Sequence, residues 1–134
     1  MSAAVQSEPD LRQGLILVVD DDPKFATIAM RILQRTGHRC VQADSGTEAL
    51  RAVREHRPDA IVLDVMIPAP DGLDVCRQLR SDGWPGGVVM VSARRSPADR
   101  ATAVGAGADV FLGKPFPLDD LVSAVDTLVR RSAT

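Results

Sequence analysis

Apolar residues along this chain fall into five short solid runs, separated by stretches in which they recur at helical spacing. The runs are Leu15 to Val19, Arg39 to Ala43, Ala60 to Leu63, Val88 to Val91 and Asp109 to Leu112. A short apolar run bounded by turn residues predicts a strand covered on both faces. The second run is the least apolar and is expected at an edge. Between the runs, Phe25, Ile28, Ile32 and Leu33 share one helical face, and Gly37 stops that helix. Ala49, Leu50 and Val53 mark a second helix, ending before Pro58, and Leu73, Cys76 and Leu79 mark a third, running to about Ser81. A fourth, rich in alanine, starts at Ser96-Pro97 and closes at Gly105 to Gly107. Leu118, Leu121, Val122, Val125, Leu128 and Val129 draw the clearest amphipathic stripe of all. Strands alternating with helices five times predict an α/β fold with a parallel sheet layered between helices.

Composition narrows this picture. The 134 residues are 45% hydrophobic and 25% charged, as in an ordinary globular domain with a substantial core. Residues 1–13 are polar and aperiodic and read as a disordered tail, 14–131 as the folded domain, and 132–134 as a short C-terminal tail. A net charge of −2 gives no electrostatic reason to expect binding to nucleic acid or to a membrane. Nothing resembles a signal peptide, since Met1 to Leu11 lacks an apolar core, and no run approaches the roughly 20 apolar residues of a membrane span, so a cytoplasmic location is predicted. Cys40 and Cys76 have no metal-ligand or redox spacing and read as small buried thiols. His38 reads as a solvated turn residue, His56 as complementing a helix C-terminus, and Trp84 as a partly exposed loop residue.

The polar residues that end the apolar runs carry the chemistry. The third run reads Ala60-Ile61-Val62-Leu63 and stops on Asp64, ahead of a loop with Pro68 and Pro70 that leads to Asp71-Gly72. The first stops on Asp20-Asp21, the fourth on Ser92, and the fifth on Gly113-Lys114-Pro115. In a parallel sheet all strand C-termini lie on one edge, where open α/β sheets place their sites. Three carboxylates, a hydroxyl and an ammonium therefore converge. Clustered carboxylates repel one another unless a cation sits between them, and hard oxygen ligands select Mg²⁺ or a similar ion. A lysine and a hydroxyl beside that ion suit phosphate oxygens, and one carboxylate can itself be a nucleophile, giving an aspartyl phosphate.

With these motifs in hand, the chain resembles the receiver domain of bacterial two-component response regulators over nearly everything from Leu15 to Arg130. The matching segments are Leu15 to Asp21, Asp64 to Gly72, Val91-Ser92-Ala93 and Gly107 to Phe116. The resemblance implies the flavodoxin-like (βα)5 doubly wound sheet with strand order 2-1-3-4-5. It implies Asp64 as phosphoacceptor, with Asp21 binding Mg²⁺ directly, Asp20 through water, and the backbone carbonyl of Met66 completing the protein ligands. Lys114 would pair with the acceptor and then with the phosphoryl group, and the Lys114-Pro115 bond would be cis. Ser92 and Phe111 would form the switch: Ser92 drawn to the phosphate, Phe111 turning into the space it leaves. The implied partners are a sensor histidine kinase or histidine phosphotransfer protein upstream and an effector protein downstream, reached through the surface of the fourth helix, fifth strand and fifth helix.

Four positions depart from the family pattern or qualify it. Phe111 lacks the hydroxyl of the commoner tyrosine. Met66 and Arg94, two residues after Asp64 and Ser92, cannot readily orient a water for in-line attack, which predicts slow self-dephosphorylation. Ala124 falls where winged-helix relatives carry an interface arginine, which argues against their standard dimer. The expectation is a stand-alone receiver, with the front of a longer DNA-binding or enzymatic regulator as the alternative. A Mg²⁺-dependent phosphohydrolase is a weaker alternative, because such enzymes carry a second acid two residues past the nucleophile and Met66 occupies that place.

Overall fold

A computed structural model describes residues 13–133; of the tail read over 1–13, residues 1–12 lie outside the described residues, as does residue 134. Five strands alternate with five helices: β1 (Leu15–Val19), α1 (Pro23–Arg35), β2 (Arg39–Ala43), α2 (Gly46–His56), β3 (Ala60–Asp64), α3 (Gly72–Ser81), β4 (Gly87–Ser92), α4 (Pro97–Gly105), β5 (Val110–Gly113) and α5 (Leu118–Ala133). The strands form one parallel sheet in the order β2-β1-β3-β4-β5, the flavodoxin-like order expected from the sequence. α5 continues past residue 131 to Ala133, because no breaker follows and Arg130 and Arg131 suit the negative end of its dipole.

The solid apolar runs are explained by burial on both sides. Side chains alternate across a strand. Leu17, Val19, Ile61, Leu63, Val88 and Met90 point to one face, and Ile16, Val18, Ala60, Val62, Val89 and Val91 to the other. The first set packs on Ala49 and Val53 of α2, Val75 and Leu79 of α3, and Ala103 of α4. The second packs on Ala26, Ala29 and Leu33 of α1 and Leu121, Val125 and Leu128 of α5. β2 is an edge strand, exposed to half-buried except at Ala43, which accounts for its weaker apolar signal.

Helix starts are set by side-chain caps. Asp22 accepts from the Lys24 N–H with Pro23 at the first helical position, and Ser45 and Asp71 cap α2 and α3. α4 opens on a reciprocal capping box between Ser96 and Asp99. Gly37 follows α1 at φ 101°, a left-handed conformation that a side chain disfavours. No helix among the described residues is long and apolar enough to cross a membrane.

Two residues read differently from expectation. His38 is buried: its Nδ1 accepts from the Gly14 N–H at 3.1 Å and its Nε2 meets Asp126 Oδ1 at 2.7 Å, tying the start of the sheet to α5. Because Nδ1 accepts a hydrogen bond, the ring proton sits on Nε2 and points at the carboxylate. Cys40 is half-buried rather than buried, because its edge strand is only partly covered, whereas Cys76 is buried as expected; both are free thiols. Trp84 is half-buried under the Arg80 guanidinium, which donates to the carbonyls of Trp84, Gly86 and Gly107 and to Asp109.

Candidate functional site

Strand register brings the polar strand ends together. Val19 pairs with Leu63, so Asp20 lies level with Asp64, and Asp64 pairs with Val91. Ser92 pairs with Gly113, and the Lys114 N–H donates to the Ser92 carbonyl at 2.8 Å. The sheet thus delivers Asp20, Asp64, Ser92 and Lys114 to one edge, as the spacing of the polar endings predicts. The backbone beneath them is hydrogen-bonded and their apolar neighbours are fully buried, so the placement is rigid.

Carboxylate oxygens of Asp20, Asp21 and Asp64 all lie within 4.8 Å of one another. Asp20 and Asp64 are buried and Asp21 is exposed. Lys114 Nζ sits between two of them, 2.9 Å from Asp20 Oδ2 and 3.3 Å from Asp64 Oδ2. The remaining oxygens are held locally. Asp20 Oδ1 accepts from the Asp22 N–H and Asp64 Oδ1 from the Met66 N–H. Two like charges about 5 Å apart repel by roughly 3 kcal/mol at an effective dielectric near 20. One ammonium cannot neutralise three carboxylates, and the arrangement fits a divalent cation bound by oxygen.

Protonation follows from the same geometry. Burial pushes the Asp20 carboxyl above its ordinary pKa, against the opposing pull of the Asp22 N–H and Lys114, and the charge of Asp64 pushes it further up. Burial also works against the charge on Lys114, but its hydrogen bond to Asp20 and the two carboxylate charges outweigh that and raise its pKa. Lys114 is therefore a fixed cation at neutral pH.

Ser92 is buried, and its Oγ accepts from the Arg94 N–H at 3.0 Å. Beside it opens a cavity of about 350 Å³ lined by Met66, Asp71, Ser92, Arg94, Thr102 and Phe111. The Phe111 ring is turned inward, 6% exposed. Lys114-Pro115 is cis, as expected, and Ala69-Pro70 in the loop after Asp64 is cis as well.

The residues that sequence reasoning missed are those that contact the site rather than form it. The Arg100 guanidinium lies 5.0 Å from the Phe111 ring centroid and donates to the Phe111 carbonyl. Phe25, which reads from sequence only as a core residue of α1, presents its ring to Lys114 Nζ at 4.2 Å. Neither pairing leaves a periodic signal.

Comparison with known proteins agrees with this geometry. The chain is 45% identical over 118 residues to "Response regulator MprA" of Mycobacterium sp. (strain KMS), a match covering 88% of this chain and 51% of that protein. It therefore spans about half the length of the curated relatives it matches. The Francisella response regulator 1452 receiver domain superimposes with a TM-score of 0.86 at 32% identity, covering 89% of this chain and 98% of that one. The signal receiver domain of the putative response regulator NarL from Mycobacterium tuberculosis gives 0.84 at 33% identity, with the same coverage of both chains. Residues 16–126 match the family described as the response regulator receiver domain, and the chain belongs to that family.

Proposed function

We propose that Asp64 is the phosphoacceptor of this receiver domain. What supports it above all is the Asp64 carboxylate at the end of β3, 3.3 Å from Lys114 Nζ and beside the carboxylates of Asp20 and Asp21. An Asp64 oxygen attacks the phosphorus of a phosphohistidine or a small acyl phosphate. The phosphorus–oxygen bond of an aspartyl phosphate forms as the bond to the leaving nitrogen or oxygen breaks, and the electron pair departs with the leaving group. Lys114 follows the negative charge from the carboxylate to the phosphoryl oxygens. Asp20, Asp21, Asp64 and the Met66 carbonyl would hold Mg²⁺, which when bound supplies charge neutralisation at the phosphoryl oxygens.

The family is one of signalling proteins and not of enzymes. The phosphoryl donor is a sensor histidine kinase or a histidine phosphotransfer protein, and the receptor of the signal is an effector protein. Phosphorylation adds charge and acceptor oxygens at the sheet edge and draws on Ser92, whose hydroxyl lines the cavity that Phe111 also lines. The face of α4, β5 and α5 then changes its preference among partners. Met66 and Arg94 line the same cavity and offer no strong acceptor for the proton of an attacking water, which supports a long-lived phosphoryl group. The half-length coverage of the curated relatives favours a second reading of the output, as the receiver part of a longer regulator.

The test is intact-mass analysis after incubation with Mg²⁺ and acetyl phosphate. One added phosphoryl group is expected in the wild type and none in Asp64→Asn. An adduct in Asp64→Asn, or one in the wild type that decays within seconds, would overturn the assignment of the acceptor or of its slow hydrolysis respectively.

A further inference from the structure

We propose that Phe25 is a positioning residue for phosphoryl transfer, its aromatic ring serving as the neutral seat of the Lys114 ammonium. Lys114 Nζ lies 4.2 Å from the Phe25 ring centroid, well within the roughly 6 Å over which a cation is attracted to a ring face. The same ring meets Phe116 edge-on, with centroids 6.1 Å apart and planes at 76°. Phe116 is two residues past Lys114. The first turn of α1 thus grips both the lysine and the segment that carries it.

The charged partners of Lys114 explain why such a seat matters. Nζ is closer to Asp20, at 2.9 Å, than to Asp64, at 3.3 Å. Left to those two carboxylates, the ammonium is held best by the one that does not react. Both partners would also change during function: Asp20 would be shared with any cation held by the carboxylates, and phosphorylation converts the Asp64 carboxylate into an acyl phosphate. The ring keeps the same attraction throughout. It limits the swing of Nζ as the charge it follows moves outward from Asp64, and proton-free positioning of this kind contributes steeply to rate.

The inference rests on Asp64 being the acceptor, and the experiment separates the two. Phe25→Leu keeps an apolar side chain of similar bulk and removes the ring, whereas Phe25→Tyr keeps the ring. The chain has only two lysines, Lys24 and Lys114, so lysine-labelled protein gives two resolvable sets of ε-methylene resonances. The ring face should shift the Lys114 set upfield of the Lys24 set. In Phe25→Leu that shift should vanish and the rate of Asp64 phosphorylation by acetyl phosphate should fall roughly 5- to 30-fold. Phe25→Tyr should keep both the shift and the rate. A Leu variant that phosphorylates at the wild-type rate overturns the proposal. So does one that slows while the Lys114 resonances stay in place, or a Tyr variant as slow as the Leu variant, since packing alone would then be responsible. Failure of the wild type to form an adduct brings down the acceptor assignment instead, and a Lys114 set without the upfield shift would still overturn the seat.

Discussion

Gly72→Ala probes how tightly the start of α3 is locked onto Asp64, the proposed acceptor. Gly72 is the first residue of α3 and is buried; its N–H donates to the Val65 carbonyl at 2.9 Å. A β-carbon built there lands on the Asp64 carbonyl oxygen, 2.7 Å from Val65 Cα and 2.9 Å from the Asp64 carbonyl carbon. All three atoms are backbone, and two belong to Asp64 itself, so no flexible side chain can turn away. The methyl group fits only if α3 and the end of β3 move apart by about 1 Å, an overpacking strain of the kind that costs about 1–3 kcal/mol. The weakened Gly72 hydrogen bond costs about 1 kcal/mol more, and the better helix propensity of alanine returns at most about 1 kcal/mol.

The net expectation is about 2 kcal/mol of lost stability, a drop in Tm of roughly 5–8 °C for a chain of this length. The effect on function should be larger. A displacement of about 1 Å at a reacting group can cost about 100-fold in rate. Thermal unfolding and the rate of adduct formation with acetyl phosphate measure the two. Gly105→Ala is the control, since a β-carbon at the end of α4 meets nothing within 4 Å. That variant should be neutral or more stable by up to about 1 kcal/mol. A Gly72→Ala protein matching the wild type in both Tm and phosphorylation rate would refute the argument.

Asp20→Asn should stabilise the protein at pH 7. The folded pKa of Asp20 lies above its ordinary 3.8, so the ionised carboxylate opposes folding; that penalty is complete above the folded pKa and absent below 3.8. The gain over wild type should fade as urea titrations are taken into that acid range, and a variant less stable at pH 7 would contradict the sign. His38→Leu should cost about 2–4 kcal/mol in urea unfolding, because it leaves the buried Gly14 N–H without its partner and Asp126 without its proton donor. A loss below about 0.5 kcal/mol, the scale of an ordinary surface substitution, would mean that water replaces the imidazole without penalty.

What the sequence disclosed and what it hid divide along a physical line. The strands were legible because the sheet is covered on both faces: a run such as Ala60 to Leu63 has no alternative but apolar side chains. The site was legible for the same reason in reverse. Asp20, Asp64, Ser92 and Lys114 stand where each apolar run gives way, and parallel pairing sends all four ends to one edge. The start of α4 at Ser96 was legible because its cap acts on backbone only three residues away. His38 was not. Its partner Asp126 is 88 residues distant on α5, so no window centred on the turn could report it. Arg80 hides likewise, since three of its acceptors are main-chain carbonyls, which have no identity in a sequence. Phe25 is hidden more deeply: one ring serves both as core and as contact for a cation, and hydrophobic spacing reports only the first use.

The contrast between a stiff frame and a charge carried on a flexible stem bears directly on the proposed switch at this edge. The strand ends are fixed by main-chain hydrogen bonds and by side chains with no exposed surface, so Asp20 and Asp64 cannot separate to relieve their repulsion. Relief has to come from positive charge brought to them, and Lys114 supplies part of it. Its Nζ bridges the two acids with contacts differing by a few tenths of an ångström. Asp20 holds it more closely, but by so small a margin that added charge at Asp64 is enough to draw the ammonium toward that side. Moving the acids themselves would disturb the packed sheet, at a cost of about 1–3 kcal/mol for each forced shift. Under the proposed phosphorylation, added charge at Asp64 would be answered first by Lys114 and by the Ser92 hydroxyl, which can turn without disturbing the sheet. Ser92 in turn shares its cavity with the Phe111 ring, and that ring is in contact with Arg100 on the exposed side of α4. The proposed phosphorylation of Asp64 would thus have a path through Ser92, Phe111 and Arg100 to the surface of α4.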